Sequence, residues 1–145
     1  MAETTLSAIL TRFAAVLEAE PLNLKPSLDA FSHGRQPNTL LDQAYYLEDG
    51  GLQDNRPVGN RKAARIDRVV IYFARKLSFD GVAARQAMSD QQLTAERYLK
   101  ADGPDHGYHV EMSGGRRITR PRGGDFLIGS LALTVDYDVD EEATD

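Results

Sequence analysis

The residue types best suited to catalysis or metal binding cluster in the last third of the chain, in Asp105, His106, His109 and Glu111. If His109 and Glu111 lie on one strand, they face the same side and could share a divalent metal ion. His106 lies beside glycine and proline in a predicted turn, and the remaining histidine, His33, lies in another loop. The spacing supplies no third ligand. We therefore expect solvated side chains here, and neither a metal nor another cofactor.

Motifs for nucleophilic catalysis and phosphate binding are not found in the sequence. The chain contains no cysteine, which excludes thiolate nucleophiles, disulfides and zinc ribbons. It contains no Gly-x-Ser-x-Gly elbow, and its glycine pairs match no phosphate-binding fingerprint. These pairs are interpreted as turns: Gly50-Gly51, Gly114-Gly115 and Gly123-Gly124. The sequence predicts a protein that is not an enzyme.

Arginine supplies 13 of the 17 basic residues, and it is concentrated in two places. The first cluster is opposed only by Asp67 and comprises Arg56, Arg61, Lys62, Arg65 and Arg68. The second has no acidic residue within it and comprises Arg116, Arg117, Arg120 and Arg122. Guanidinium groups bind both carboxylates and phosphates in a bidentate manner. The clusters could therefore bind nucleic acid, pair with acids of another chain, or form a solvated strand edge.

The negative charge of the chain is concentrated at its end. The net charge is −5, and the last ten residues, 136–145, hold six acids and no base. An acidic terminus and a basic hairpin are unlike patches that could meet between copies of one chain. The predicted assembly interface comprises Arg56, Arg61, Arg116, Arg117, Arg120, Arg122, Tyr45, Tyr46, Asp138, Asp140, Glu141 and Glu142.

Hydrophobic spacing predicts the elements that position these residues. Residues 5–19 show the spacing of an amphipathic helix, and a second helix is predicted from Asp80 to about Lys100. Residues 65–77 read as a central strand that is apolar on both faces, and a short strand is possible at 28–32. Turn-forming residues fill 34–64, which is interpreted as a long irregular excursion that docks on a neighbour.

The last third predicts antiparallel β structure. A hairpin is expected, with strands at 108–112 and 117–120 and its turn at Gly114-Gly115. A final, half-buried strand follows Gly123-Gly124. The fold class is therefore α+β: a small mixed or antiparallel sheet packed with two helices, with the long excursion, a C-terminal hairpin and a closing strand. We expect one domain at 1–139 and an acidic tail at 140–145.

Nothing in the sequence predicts export or a membrane span. Arg12 and Glu18 interrupt the apolar residues near the N-terminus, and the longest strongly apolar run, 126–135, is ten residues long. A soluble protein is expected.

The order of these features resembles the tail-terminator (tail-completion) proteins of long-tailed bacteriophages, the group that contains the minor tail protein capping the lambda tail. The resemblance covers most of the chain and is one of layout and ending. It rests on the opening helix Leu6–Leu17, the turn-rich Tyr45–Gly51, the strand Arg68–Ala74 with the helix that follows Asp80, and the ending Gly124–Tyr137.

This resemblance implies a virion structural protein without catalytic residues or cofactor. Six identical subunits would form a ring that sits on the tail tube, stops its polymerisation and meets the head-side connector. Genome DNA would pass through the hole, and assembly would occur in the host cytoplasm. The implied partners are further copies of the chain, the tail-tube protein and the connector or neck protein. Other neck and head-closure proteins, and a nucleic-acid-binding module that uses the hairpin arginines, remain open alternatives.

Overall fold

The computed structural model describes residues 5–35, 37, 39–57, 62–77, 81–120 and 125–140, with only the backbone of Lys62 and Asp140. Two α-helices and five strands occur in these ranges. Their bounds in chain order are α1 Leu6–Glu18, β1 Lys25–Pro26, β2 Ala44–Pro57, β3 Lys62–Lys76, α2 Gly81–Asp102, β4 Tyr108–Thr119 and β5 Phe126–Asp140. A short 3-10 turn, Gly103–His106, joins α2 to β4.

All five strands form one mixed sheet in the order β1-β2-β3-β5-β4. The two-residue strand β1 pairs in parallel with the start of β2, and every other neighbouring pair is antiparallel. β3 occupies the centre, as predicted, and pairs with β5 along its whole length. The predicted α+β class, with a mixed sheet and two helices, is confirmed.

Both helices pack on one face of the sheet, which we call the helix face. From α1, Ile9, Phe13 and Leu17 are buried at the predicted helical spacing. Alternate residues of the two central strands, for example Phe73 of β3 and Leu133 of β5, are buried beneath them. Period-2 alternation therefore sends the remaining side chains of each strand to the opposite face, which we call the open face.

The helical layer is held by its first cap and by one ion pair. The Oγ1 of Thr5 accepts a hydrogen bond from the backbone N–H of Ala8 (3.1 Å), which satisfies an otherwise unpaired donor at the start of α1. Arg12 donates from Nε and Nη2 to the two carboxylate oxygens of Asp102, at 2.7 and 2.8 Å. The Arg12 guanidinium holds the pKa of the Asp102 carboxyl below its ordinary value. This bidentate contact joins the middle of α1 to the end of α2.

The prediction of an irregular excursion over 34–64 is wrong for most of its length. Residues 44–57 form β2, and β3 already begins at Lys62. β2 accommodates its turn-forming residues through two register shifts, one between Asp49 and Gly51 and one between Leu52 and Asp54. Such bulges insert extra residues without ending the strand. Pairing with β3 therefore overrides the local turn propensity.

Two further strand predictions need correction. Residues 28–32 do not form a strand; the parallel strand in this region is β1, and Ser32 makes only an isolated bridge to Arg35. Gly114-Gly115 is not a hairpin turn, because β4 runs continuously from Tyr108 to Thr119. The glycines lie instead at a register shift between Met112 and Gly115, where Gly115 has a φ of 82°. The partner of β4 is β5.

Candidate functional site

The open face carries most of the polar side chains that the fold brings together from distant parts of the sequence. Strand register places Tyr46, Tyr72, Ser130 and Arg117 in one row across β2, β3, β5 and β4. The adjacent row contains Glu48, Val70, Ala132 and Gly115. No helix of the described residues covers these rows, because both helices pack on the other face.

One end of the open face is covered by the segment between β1 and β2. Phe31 and Leu40 are buried there in a second, smaller apolar cluster with Ala44, Ala74 and Ile128. The ring of Phe31 lies 6.4 Å, between centroids, from the rings of both Tyr46 and Tyr72. The prediction that both faces of β3 are covered therefore holds at this end. Farther along, Val70 is only half-buried and Arg68 is exposed.

His33 fastens this segment to the sheet. Its Nε2 lies 2.8 Å from the Oγ of Ser130, and its ring meets that of Tyr72 edge-on at 5.7 Å. Its Nδ1 is buried and has no hydrogen-bond partner among the described groups. Burial, and secondarily the nearby Arg117 charge, lower the pKa of His33. Protonation would place a second N–H where the described residues supply no acceptor, so the neutral ring is the form that fits.

A serine and a histidine at hydrogen-bond distance are two parts of a hydrolytic triad, but the third part is missing here. In such triads an acid binds the other ring nitrogen and orients the base. No described acid binds Nδ1 of His33, and Ser130 lies in the middle of β5 rather than on an exposed turn. The His33–Ser130 hydrogen bond is best explained as a contact that holds the segment between β1 and β2 on the sheet.

Because folding lowers the pKa of His33, the unfolded chain binds a proton at His33 at pH values where the folded chain does not. Stability should therefore be complete above about pH 6.5 and decline as the pH falls below it. We expect the urea midpoint of the wild-type chain to fall between about pH 7.5 and about 5.5. In His33→Gln, whose amide can still reach Ser130, we expect a smaller fall. His106 and His109 are retained in both proteins. An equal loss in the two proteins would contradict the role of neutral His33 in holding this segment on the sheet.

The Tyr72 hydroxyl marks the centre of the charged part of the open face. Burial and the neighbouring Glu48 carboxylate raise the pKa of Tyr72, whereas Arg68 and Arg117 act in the opposite direction. Both guanidinium groups therefore lie close enough to affect this one hydroxyl, although they come from different strands. We call Arg68 and Arg117 the basic pair.

Two glycines make room for the Arg68 side chain. A Cβ at Gly50 would lie 2.9 Å from Cγ of Arg68, and a Cβ at Gly114 would lie 3.5 Å from its Nη2. The side chain therefore extends from β3 over β5 and reaches the bulge in β4. No carboxylate in the described ranges lies within 4.0 Å of the guanidinium of Arg68 or Arg117. The basic pair is open to an anion from outside.

Acidic side chains occupy the other end of the open face. Asp136 and Asp138 are exposed on β5, opposite Ile66 and Ala64 of β3. His109 lies opposite Asp136, in the exposed strand position predicted for it. Within the described part of the chain, however, no group of three His, Asp or Glu side chains could hold a metal ion. The face thus carries Arg68 and Arg117 with Glu48 near Tyr72, and Asp136 and Asp138 with Arg56 toward the end of β5.

The predicted interface residues are distributed over several surfaces. Arg116 projects to the helix face, because it pairs with buried Leu131, whereas Arg117 pairs with Ser130 and projects to the open face. Arg56 is exposed and forms a 3.0 Å ion pair with Asp54. Arg120 is exposed just after β4.

Tyr45 must be removed from the predicted interface. It is 4% exposed on the helix face, and its hydroxyl donates to Oε2 of Glu18 at 3.0 Å. Tyr46 is half-buried against Phe31 on the open face. The backbone of Asp140 lies opposite Lys62. Arg61, Arg122, Glu141 and Glu142 lie outside the described residues.

Sequence reasoning missed the most informative contacts of the site. His33 and Ser130 are 97 residues apart, and no local pattern connects them. The sequence places Arg68 in a basic cluster, but its position near Arg117 depends on strand order, which no local pattern shows. Its alternation with Val70 and Tyr72 was the one available signal that it shares a face with them.

Comparison with known proteins adds no assignment, because no protein-family model and no curated protein matches this chain. Among the described helices, none is both long and apolar enough to cross a membrane.

Proposed function

We propose that this chain is a virion assembly protein of the tail-terminator kind. It forms a ring of six copies on the end of the tail tube, stops tube polymerisation and joins the tube to the head-side connector. The proposal combines the resemblance in layout with one structural observation: the open face exposes Arg68 and Arg117 and, in other rows, the acids Asp136 and Asp138. Unlike regions on one chain suit a contact that repeats from copy to copy.

The division of the fold into two faces supports this role. The helix face is occupied by the two helices and contains most of the buried apolar residues, so it supplies the stability of the monomer. The open face contributes a smaller cluster and leaves Arg68, Arg117, Asp136 and Asp138 exposed. Charges on this face can therefore serve association with little effect on folding.

The arginine arrangement favours assembly over nucleic-acid binding. Arg116 and Arg117 project to opposite faces of β4, so the hairpin arginines do not form one row that could follow a phosphate backbone. The net charge of −5 also opposes binding to a duplex. Other neck and head-closure proteins remain alternatives, and the partner bound on each side of the ring distinguishes them.

The ring is tested by the mass of the chain in solution and by its effect on tail tubes. We expect particles of about 96 kDa, six copies of the 16.0-kDa chain, and rings in negative-stain images. Added to polymerising tail-tube protein, the chain should shorten the tubes and be found at one tube end. An unrelated protein of equal mass serves as the control. A chain that neither assembles nor alters tube length would refute the proposal, and a closed two-fold dimer would refute the ring.

A further inference from the structure

We infer that the basic pair and the β4 bulge form the docking site for the acidic terminus, residues 136–145, of a second copy of this chain. The inference rests on the self-association proposed above and names the contact that performs it. It replaces the predicted hairpin cluster of four arginines by Arg68 and Arg117, which lie on one face.

The bulge provides a surface on which an extended segment can lie. Gly114 and Gly115 are exposed, and the Cβ of Ala132 lies 3.3 Å from where a Cβ of Gly114 would stand. Arg68 reaches this bare backbone from β3, and Arg117 follows it two residues later on β4. Bulges often occur where a strand must redirect side chains at a functional site.

Charge complementarity identifies the occupant. The acidic terminus holds six acids and no base, and its first two acids, Asp136 and Asp138, are exposed on β5. Guanidinium groups bind carboxylates through two parallel hydrogen bonds, which suits Arg68 and Arg117, because no described carboxylate lies within salt-bridge distance of either. Glu48, an acid of the same face, lies close enough to the Tyr72 hydroxyl to raise its pKa.

Residues 141–145 cannot reach Arg117 of their own chain, so an acidic segment that contacts both arginines comes from another copy. Arg117 lies opposite Ser130, ten residues before Asp140 on β5. Ten strand residues span about 33 Å, whereas the five residues after Asp140 extend at most about 18 Å. Arg117 is therefore out of reach of residues 141–145 of the same chain.

A charge exchange tests the contact. The first variant carries Arg68→Glu and Arg117→Glu, and the second carries Asp136→Lys, Asp138→Lys, Glu141→Lys and Glu142→Lys. Each alone should lose assembly, because like charges then face each other, whereas an equimolar mixture should regain it by alternation around the ring. Arg97→Glu with Arg116→Glu, on α2 and the helix face, is the matched control and should assemble normally. Circular dichroism checks that every variant is folded.

Cross-linking locates the contact directly, since the chain has no cysteine of its own. Chains carrying Ser113→Cys, beside the bulge, are mixed with chains carrying Ala143→Cys and treated with a short bismaleimide. We expect a covalent heterodimer, and little product when Arg97→Cys replaces Ser113→Cys. Absence of the heterodimer at high protein concentration overturns the inference, whether or not the wild-type chain assembles.

The outcomes separate this inference from the proposed function. Normal assembly by the Arg68→Glu, Arg117→Glu variant overturns the docking site but leaves the ring intact. Failure of the wild-type chain to assemble or to cap tubes overturns the function, and the cross-link still decides the contact. Salt-sensitive binding of an oligonucleotide that needs the basic pair, without any effect on assembly, would assign the site to nucleic acid instead.

Discussion

The Phe13→Ala variant is expected to be less stable than the wild-type chain by about 3–5 kcal/mol, the usual cost of removing a buried aromatic ring. Phe13 is fully buried at the centre of the apolar stripe of α1, and its ring lies 5.9 Å from that of Tyr108 on β4. Its loss leaves a cavity between the first helix and an edge strand of the sheet. Urea unfolding monitored by circular dichroism measures the effect.

Leu28→Ala is the matched control, because the Leu28 side chain is 98% exposed and its removal should change stability by less than about 0.5 kcal/mol. A cost below about 1 kcal/mol for Phe13→Ala would mean that α1 does not pack on the sheet as described. The open face should keep its charges in this variant, so a loss of assembly would report unfolding rather than a missing contact.

The second large effect is expected for Gln92→Leu, at about 2 kcal/mol or more. Gln92 is 1% exposed, and its Nε2 donates to the backbone carbonyl oxygens of Arg117 (3.1 Å) and Ser130 (2.9 Å). Leucine fills similar space but leaves the carbonyl oxygens of Arg117 and Ser130 without this donor. The expected result is a lower free energy of unfolding together with altered amide shifts around residues 117 and 130.

Gln86→Leu, on an exposed position of the same helix, separates this effect from the general consequence of adding leucine to α2. It should be nearly neutral. Because Gln92 supports the backbone of Arg117 and Ser130 from the helix face, we also expect its loss to weaken assembly more than its cost in stability implies. Equal behaviour of the two variants would show that these hydrogen bonds contribute nothing measurable.

Elements with a strong hydrophobic period were predictable from the sequence. The stripe of α1 and the alternation along β5 reflect burial on one side of a regular element, which residue order alone displays. β2 was not predictable in this way, because its glycines, asparagine and proline favour turns, and only pairing with β3 along 12 register positions overrides them. The prediction of a turn at Gly114-Gly115 was wrong because a glycine pair permits both a turn and a bulge.

The residues of the candidate site were predictable by type but not by position. Arg117 and Asp138 were selected for their charge, and both lie on the open face. Arg116 has the same charge as Arg117, yet the period of the strand sends it to the opposite face. Tyr45 and Tyr46 divide in the same way, one into the core beside Glu18 and one toward Phe31.

The sequence by itself determined the α+β class, the first helix, the central and closing strands, and the presence of oppositely charged clusters. Those features depend on composition and on periods of two or 3.6 residues, which are local properties. Only the tertiary structure decided which charges share a face, because strand order and register join residues far apart in the chain. It placed Arg68 on the same face as Arg117 and His33 against Ser130, and it put Asp136 and Asp138 in other rows of that face.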